Sequence, residues 1–333
     1  MEYRMRLHEN PTLFRQAIVA TAESMQIAEI YIEKDYWVTY ALKSVFSDSA
    51  VASQTIFKGG TSLSKCYGLI ERFSEDIDLV VARSASDSGN KIKEKLKRIG
   101  SAVAHHLPEI EMAGISHRRG LHRKTAHGYP QEFTGNSGQV RASVVVVEAT
   151  SLGSFEPHNK RSVSTYVAEM MGQRDQQNLI AEYGLIPFSV NALRPERTLC
   201  EKIMSLVRFS YSEHPLQDLK LKIRHAYDLH KMLGDTEIQA FFSSDAFDAL
   251  FLSAARSDRV SYKNNHAYLA KHPVEALIFS KLEEVWHQLE PIYQGDFANL
   301  VFGELPLADD VRHTLTTINA RLSKLEWPIS DEF

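Results

Sequence analysis

Two aspartates, Asp76 and Asp78, stand one residue apart in RFSEDIDL, and a glycine pair, Gly59 and Gly60, precedes them in KGGTSLSK. In an extended chain alternate side chains share a face, so the two carboxylates project together while Ile77 and Leu79 turn toward a core. Carboxylates that close repel, and one takes up a proton unless a cation sits between them. Mg²⁺ (or Mn²⁺) is the natural choice, because a hard ion keeps oxygen ligands and shares them with substrate phosphates. Upstream, Gly59 and Gly60 let the backbone approach a ligand, and Thr61 and Ser62 open a helix whose unpaired N–H groups suit a phosphate.

An Asp-x-Asp or a Gly-Gly taken alone means little. Their order carries the signal: a strand, a Gly-Gly-Thr-Ser helix start, one helix, then the aspartates on a second strand. Ser74 is two positions before Asp76 and shares its face if the strand is regular, where it would donate to a phosphate oxygen. Lys58, Lys65 and Arg72 flank the site, each either a phosphate ligand or a solvated surface charge. Further on, Lys202 shares a helix face with Leu199, Ile203 and Leu206. It is either a lysine with a buried-edge partner or one that reaches past the core margin to water. Asp228 lies four residues from Arg224, so a local ion pair is open to it.

These residues need elements to hold them. The segment from Pro11 to about residue 46 shows helical spacing, with Asn10 placed to cap and Pro11 suited to the first turn. TIFK and DIDLVVA read as strands, TSLSKCYGL as a helix, residues 91–106 as another helix with Ile92, Leu96 and Ile99 on its apolar stripe. Residues 110–116 read as extended and VRASVVVVEAT (140–150) as a β-branched strand. After Pro187 the pattern becomes helical. The expected architecture is α+β: a small mixed sheet with helices over residues 1–190, and a mainly α-helical part over residues 191–333.

At 333 residues with 44% hydrophobic and 24% charged residues the chain can bury more than one core. Two distant cysteines and fourteen histidines without ligand spacing speak against a zinc site or a disulfide scaffold. The start of the chain lacks a basic segment followed by an apolar run, and no long apolar span occurs, so a cytoplasmic protein is expected. The net charge of −4 excludes a global positive field. One local exception is HRRGLHRK (117–124), which places Arg118, Arg119, Arg123 and Lys124 around a glycine without apolar periodicity and reads as a basic loop or hairpin tip.

The ordered set resembles the polymerase-β-like nucleotidyltransferases, and KGGTSLSK followed by RFSEDIDL is similar to the AbiEii/AbiGii toxins of bacterial toxin–antitoxin and phage-defence systems. IEKDYWVTYALKSVF, RPERTLCEKIMSL and RHAYDLHKML extend the likeness over about residues 30–235. The resemblance implies transfer of a nucleotide from an NTP with release of pyrophosphate. It also implies a third carboxylate on a neighbouring strand, for which Glu148 at the end of VVVVE is the candidate. Lys202 would then contact a β or γ phosphate, Asp228 would lie near the acceptor or that lysine, and a cognate antitoxin, in some cases DNA-binding, would be the partner. The basic 117–124 segment favours the 3′ end of an RNA, tRNA above all, as acceptor. A protein hydroxyl as acceptor, or a non-catalytic module that binds nucleotide or a partner, are the alternatives.

Overall fold

β-branched and aromatic residues in short runs favour strands, and in this chain such runs condense into one sheet. The computed structural model describes residues 4–74, 76–84, 86–134, 143–153, 155–262 and 265–329. Among these are eight strands: β1 (Thr55–Lys58), β2 (Asp76–Val81), β3 (Glu109–Ile110), β4 (His117–Arg119), β5 (His122–Gly128), β6 (Val144–Thr150), β7 (His158–Val163) and β8 (Phe188–Leu193). Their order is β3-β5-β6-β2-β1-β8-β7, with β4 also paired to β5. The sheet is mixed: β2 is antiparallel to β1 and parallel to β6, and β6 is antiparallel to β5. The α+β expectation holds.

The helix Pro11–Met25 starts as its sequence dictates, with the Asn10 side chain accepting from the Leu13 N–H and Pro11 in the first turn. The helix Glu29–Ser47 packs on the helix Gly89–Ala104, and both pack on the sheet. Gly100 lies against the guanidinium of Arg123, whose strand neighbours in register are Ala149 and, one strand on, Leu79. Ile77, Leu79, Val145 and Val147 share that covered face and are buried, each contributing about 1.5–3 kcal/mol. The opposite face carries Asp76 and Asp78.

Two expectations fail. Within residues 110–116 only Ile110 is in a strand; Met112 begins a turn closed by the Ser116 N–H on the Met112 carbonyl. The change to helix after Pro187 comes later than expected, because β8 joins β1 in parallel through Phe57 and Ala192. Of the two readings of the basic 117–124 segment, the hairpin holds: two paired strands with Gly120 at φ +60° in the turn between them.

The chain forms two compact units: one of Met1–Cys66, Phe73–Ser151 and His158–Ala192, the other of Tyr67–Arg72, Leu152–Pro157 and Leu193–Phe333. The second unit is mainly helical, with Pro195–Phe209 packed on Ile223–Leu233 and Asp245–Ser261 around buried Phe247 and Phe251. It is not a contiguous stretch, since two short early segments belong to it. Among the described residues no helix is long and apolar enough to cross a membrane.

Candidate functional site

In the first unit, Lys124 on β5 is in register with Glu148 on β6, Glu148 with Asp78 on β2, and Asp78 with Lys58 on β1. Register partners point to the same face, so four charged residues form a row across four neighbouring strands, with Asp76 two positions along on the same face. Lys124 Nζ lies 2.9 Å from Glu148 Oε2 and 3.6 Å from Asp76 Oδ2, while His122 Nε2 is 3.1 Å from Glu148 Oε1. The close imidazole of His122, with the Lys124 ammonium beside it, holds the Glu148 carboxyl down to about 2 against the effect of burial. Burial disfavours the charged Lys124, but the carboxylates of Asp76 and Glu148 outweigh it and raise its pKa. Beside this row β5 and β6 carry Ala126, Val144 and Val146, an apolar cluster backed by Ile110, Met112 and Ile115.

The glycine pair positions Asp78 directly. Gly59 has φ +79°, and a Cβ there would overlap Asp78 Oδ2, so both its backbone conformation and the space beside it require glycine. Gly59 starts the helix Gly59–Tyr67. Thr61 Oγ1 donates to the Asp76 carbonyl at 2.6 Å and lies 3.0 Å from Ser74 Oγ, tying the first turn of the helix to the entry of β2. Ser74 precedes the strand rather than lying in it, so the shared face expected for it with Asp76 does not follow from strand alternation. Ser62 is buried beneath the helix start.

Lys65, expected beside a phosphate, is instead a structural cation: its ammonium is 2.5 Å from Asp35 Oδ1, with both side chains buried, and stacks 4.4 Å from the Tyr166 ring centroid. Asp35 Oδ2 also accepts from the Tyr166 N–H at 2.8 Å. Asp35 joins three helices and was invisible in sequence, its partner being thirty residues away; a lysine and an aspartate both on apolar helix faces were the available signal.

Arg72, Lys202 and Asp228 form a second centre, within the helical unit. Arg72 donates twice to Asp228, at 2.6 and 2.7 Å, and Lys202 Nζ donates to Asp228 Oδ2 at 2.6 Å. All three are buried. Burial alone would raise the Asp228 pKa, but Arg72 and Lys202 hold it far below the carboxylate range. Lys202 is lowered by burial despite Asp228. Asp228 and Lys202 thus adjoin, as the resemblance implied, but the arginine on Asp228 is Arg72, not Arg224.

The four basic residues of 117–124 do not act as one patch. Strand alternation sends Arg123 to the covered face, where it pairs with Glu109 at 3.4 Å, while Lys124 enters the carboxylate row. The side chains of Arg118 and Arg119 lie outside the described residues. Among the described residues no three His, Cys, Asp or Glu side chains form a ready metal cluster; the ammonium of Lys124 lies beside Asp76 and Glu148.

A comparison with curated proteins finds no match. The family model for the nucleotidyl transferase AbiEii toxin of type IV toxin–antitoxin systems matches residues 40–317, a span that contains Asp76, Asp78, Glu148, Lys202 and Asp228. The chain belongs to the AbiEii nucleotidyl transferase toxin family.

Proposed function

We propose that the face carrying Asp76, Asp78 and Glu148 is the transfer centre of a toxin that moves a nucleoside monophosphate from an NTP to the 3′ end of an RNA, tRNA being the acceptor class. The observation that carries this reading is the register Lys124–Glu148–Asp78–Lys58, which gathers carboxylates on one face around a cation. A donor set of three carboxylates fits a hard divalent ion, and its attraction for the Lys124 ammonium is the sign of that demand. Asp76, Asp78 and Glu148 would hold the Mg²⁺. When bound, the ion supplies neutralisation of the triphosphate charge.

The chain's own part is positioning. Gly59 leaves room for Asp78, and Thr61 fixes Asp76 through its carbonyl. The first N–H groups of the helix Gly59–Tyr67, left without partners inside the helix, would serve phosphate oxygens. The acceptor 3′ hydroxyl gives up its proton to solvent as its oxygen bonds to the α-phosphorus, the bond from that phosphorus to the α–β bridging oxygen breaks, and pyrophosphate leaves with the electron pair. The β4–β5 hairpin supports an RNA acceptor, because it leads from basic residues to Lys124 in the row; Arg123, on the other face, has no part in it. A nucleotide substrate and an antitoxin partner accompany membership of the family.

The test is the purified protein with Mg²⁺, each labelled NTP and total RNA, against Asp76→Asn and Asp78→Asn. Label should enter RNA with the unaltered protein and be lost in both variants, whose unfolding free energy should change by no more than about 1 kcal/mol. Undiminished labelling by either variant overturns the assignment of the face, and label confined to protein bands overturns the RNA acceptor.

A further inference from the structure

Three cation–carboxylate contacts in this chain differ in how far water reaches them. In Lys65–Asp35 the side chains are 5% and 4% exposed, and in Arg72–Asp228 they are 3% and 0% exposed. Such pairs are fixed, because separating them strands a charge in a dry interior. In the third, Lys124 is 22%, Asp76 22% and Glu148 33% exposed. Ion pairs that solvent reaches add little to folding and exchange partners readily. The Lys124 contact is therefore of a different kind, and it is also longer, 2.9 and 3.6 Å against 2.5 and 2.6 Å in the two buried pairs.

Its position adds to this. The ammonium is 2.9 Å from one carboxylate and 3.6 Å from another, on strands that flank one another. These are two of the three carboxylates that the transfer reading gives to the metal. A divalent ion drawn to those oxygens and an ammonium already beside them repel each other, with an energy that grows as their separation shrinks. Both cannot keep their best positions. His122 stays on the other oxygen of Glu148, so the carboxylate remains oriented when the lysine moves away. Lys124 is one residue of a strand hydrogen-bonded on both sides; its backbone is fixed, and only the four-carbon stem has to swing.

Resting on the transfer reading of this face, we infer that Lys124 is a resident counter-ion which occupies the cation position of the Asp76–Asp78–Glu148 site and is displaced when the divalent ion enters. Metal affinity in the absence of nucleotide is then set by competition with an internal ammonium. The protein needs no metal to keep the carboxylates together, and the metal-free state stays ordered.

The experiment is calorimetric titration of Mg²⁺, and separately Mn²⁺, into the full-length protein stripped with chelator and free of nucleotide, with melting temperature recorded in parallel. Lys124→Met should bind the ion at least about tenfold more tightly than the unaltered protein, since the competitor is gone. Its metal-free form should melt lower, and added Mg²⁺ should raise its melting temperature more than it raises that of the unaltered protein. Lys124→Gln, which keeps a hydrogen-bond donor without the charge, serves if Lys124→Met does not fold and should show the same tightening. Asp76→Asn should lose the binding in either background.

Equal or weaker metal affinity in the lysine variants, with binding still abolished by Asp76→Asn, overturns the counter-ion role and leaves the metal site standing. Absence of metal binding in every protein, the lysine variants included, overturns both.

Discussion

The carboxylate of Asp78 rests against the α-carbon of Gly59, filling the place where any side chain at position 59 would go. The glycine of one motif and the aspartate of the other are thus a single fitted contact, across paired strands whose register sets Lys58 opposite Asp78.

Gly59→Ala should therefore strain the backbone at φ +79° and push Asp78 aside. The expected cost is about 1–3 kcal/mol in urea unfolding, with transfer reduced about 100-fold or more, because small misplacements of reacting groups are costly. A variant with full activity would show that Asp78 tolerates a different rotamer and that the contact is incidental.

Removing the acid from the buried triad should be worse than removing either base. Asp228→Asn leaves Arg72 and Lys202 as neighbouring cations without their counter-charge, and about 3–5 kcal/mol of stability should go. Lys202→Met keeps the two-pronged Arg72–Asp228 contact and should melt at a higher temperature than Asp228→Asn. The reverse order would contradict the arrangement. If Lys202→Met melts normally yet uses nucleotide poorly, the lysine regains the phosphate role that its sequence suggests.

A similar loss, about 3–5 kcal/mol, is expected for Lys65→Met, because it strands Asp35 in the interior. The pair Asp35→Asn with Lys65→Met should recover part of it. Steady-state kinetics on whatever fraction folds should show an ordinary KM for the NTP; a raised KM at normal stability would place Lys65 at the nucleotide after all.

Acid should weaken the first unit through Glu148. Its folded pKa is depressed from 4.5 to about 2 by His122 and Lys124, so between those values the unfolded chain binds the proton and the folded chain does not. Stability then rises with pH across that window, is fully present above 4.5, and is lost as pH falls toward about 2. Glu148→Gln lacks this component, and its urea midpoints should change less across the window than those of the unaltered protein. Parallel pH profiles for the two would remove the shift.

Much of the site was legible because it is local. The Asp-x-Asp strand, the glycines and the helix start lie within about twenty residues, and two-residue alternation fixes which side chains share a face. The strand β7 was not legible, since HNKRSV has no apolar alternation and its polar residues face outward. The hairpin β4–β5 was legible only as one of two readings, loop or hairpin tip, and its run of cations gave no sign that alternation splits Arg123 from Lys124. Partners far apart in sequence, such as Arg72 with Asp228 or Lys65 with Asp35, leave no periodic trace. The four-residue spacing of Arg224 and Asp228 pointed instead to a neighbour that the fold does not choose.

The six residues Tyr67–Arg72 belong to the helical unit, although the helix before them and the strand after them belong to the sheet. The chain changes unit at residues 66/67, 72/73, 151/152, 157/158 and 192/193. No single cut can release either half intact. A gene fragment ending near residue 192 would keep Arg72 but discard Asp228, leaving a guanidinium without its carboxylate four residues ahead of Asp76. Recombination that swapped one half between relatives at a single junction would meet the same mismatch, so the chain must be engineered as one block.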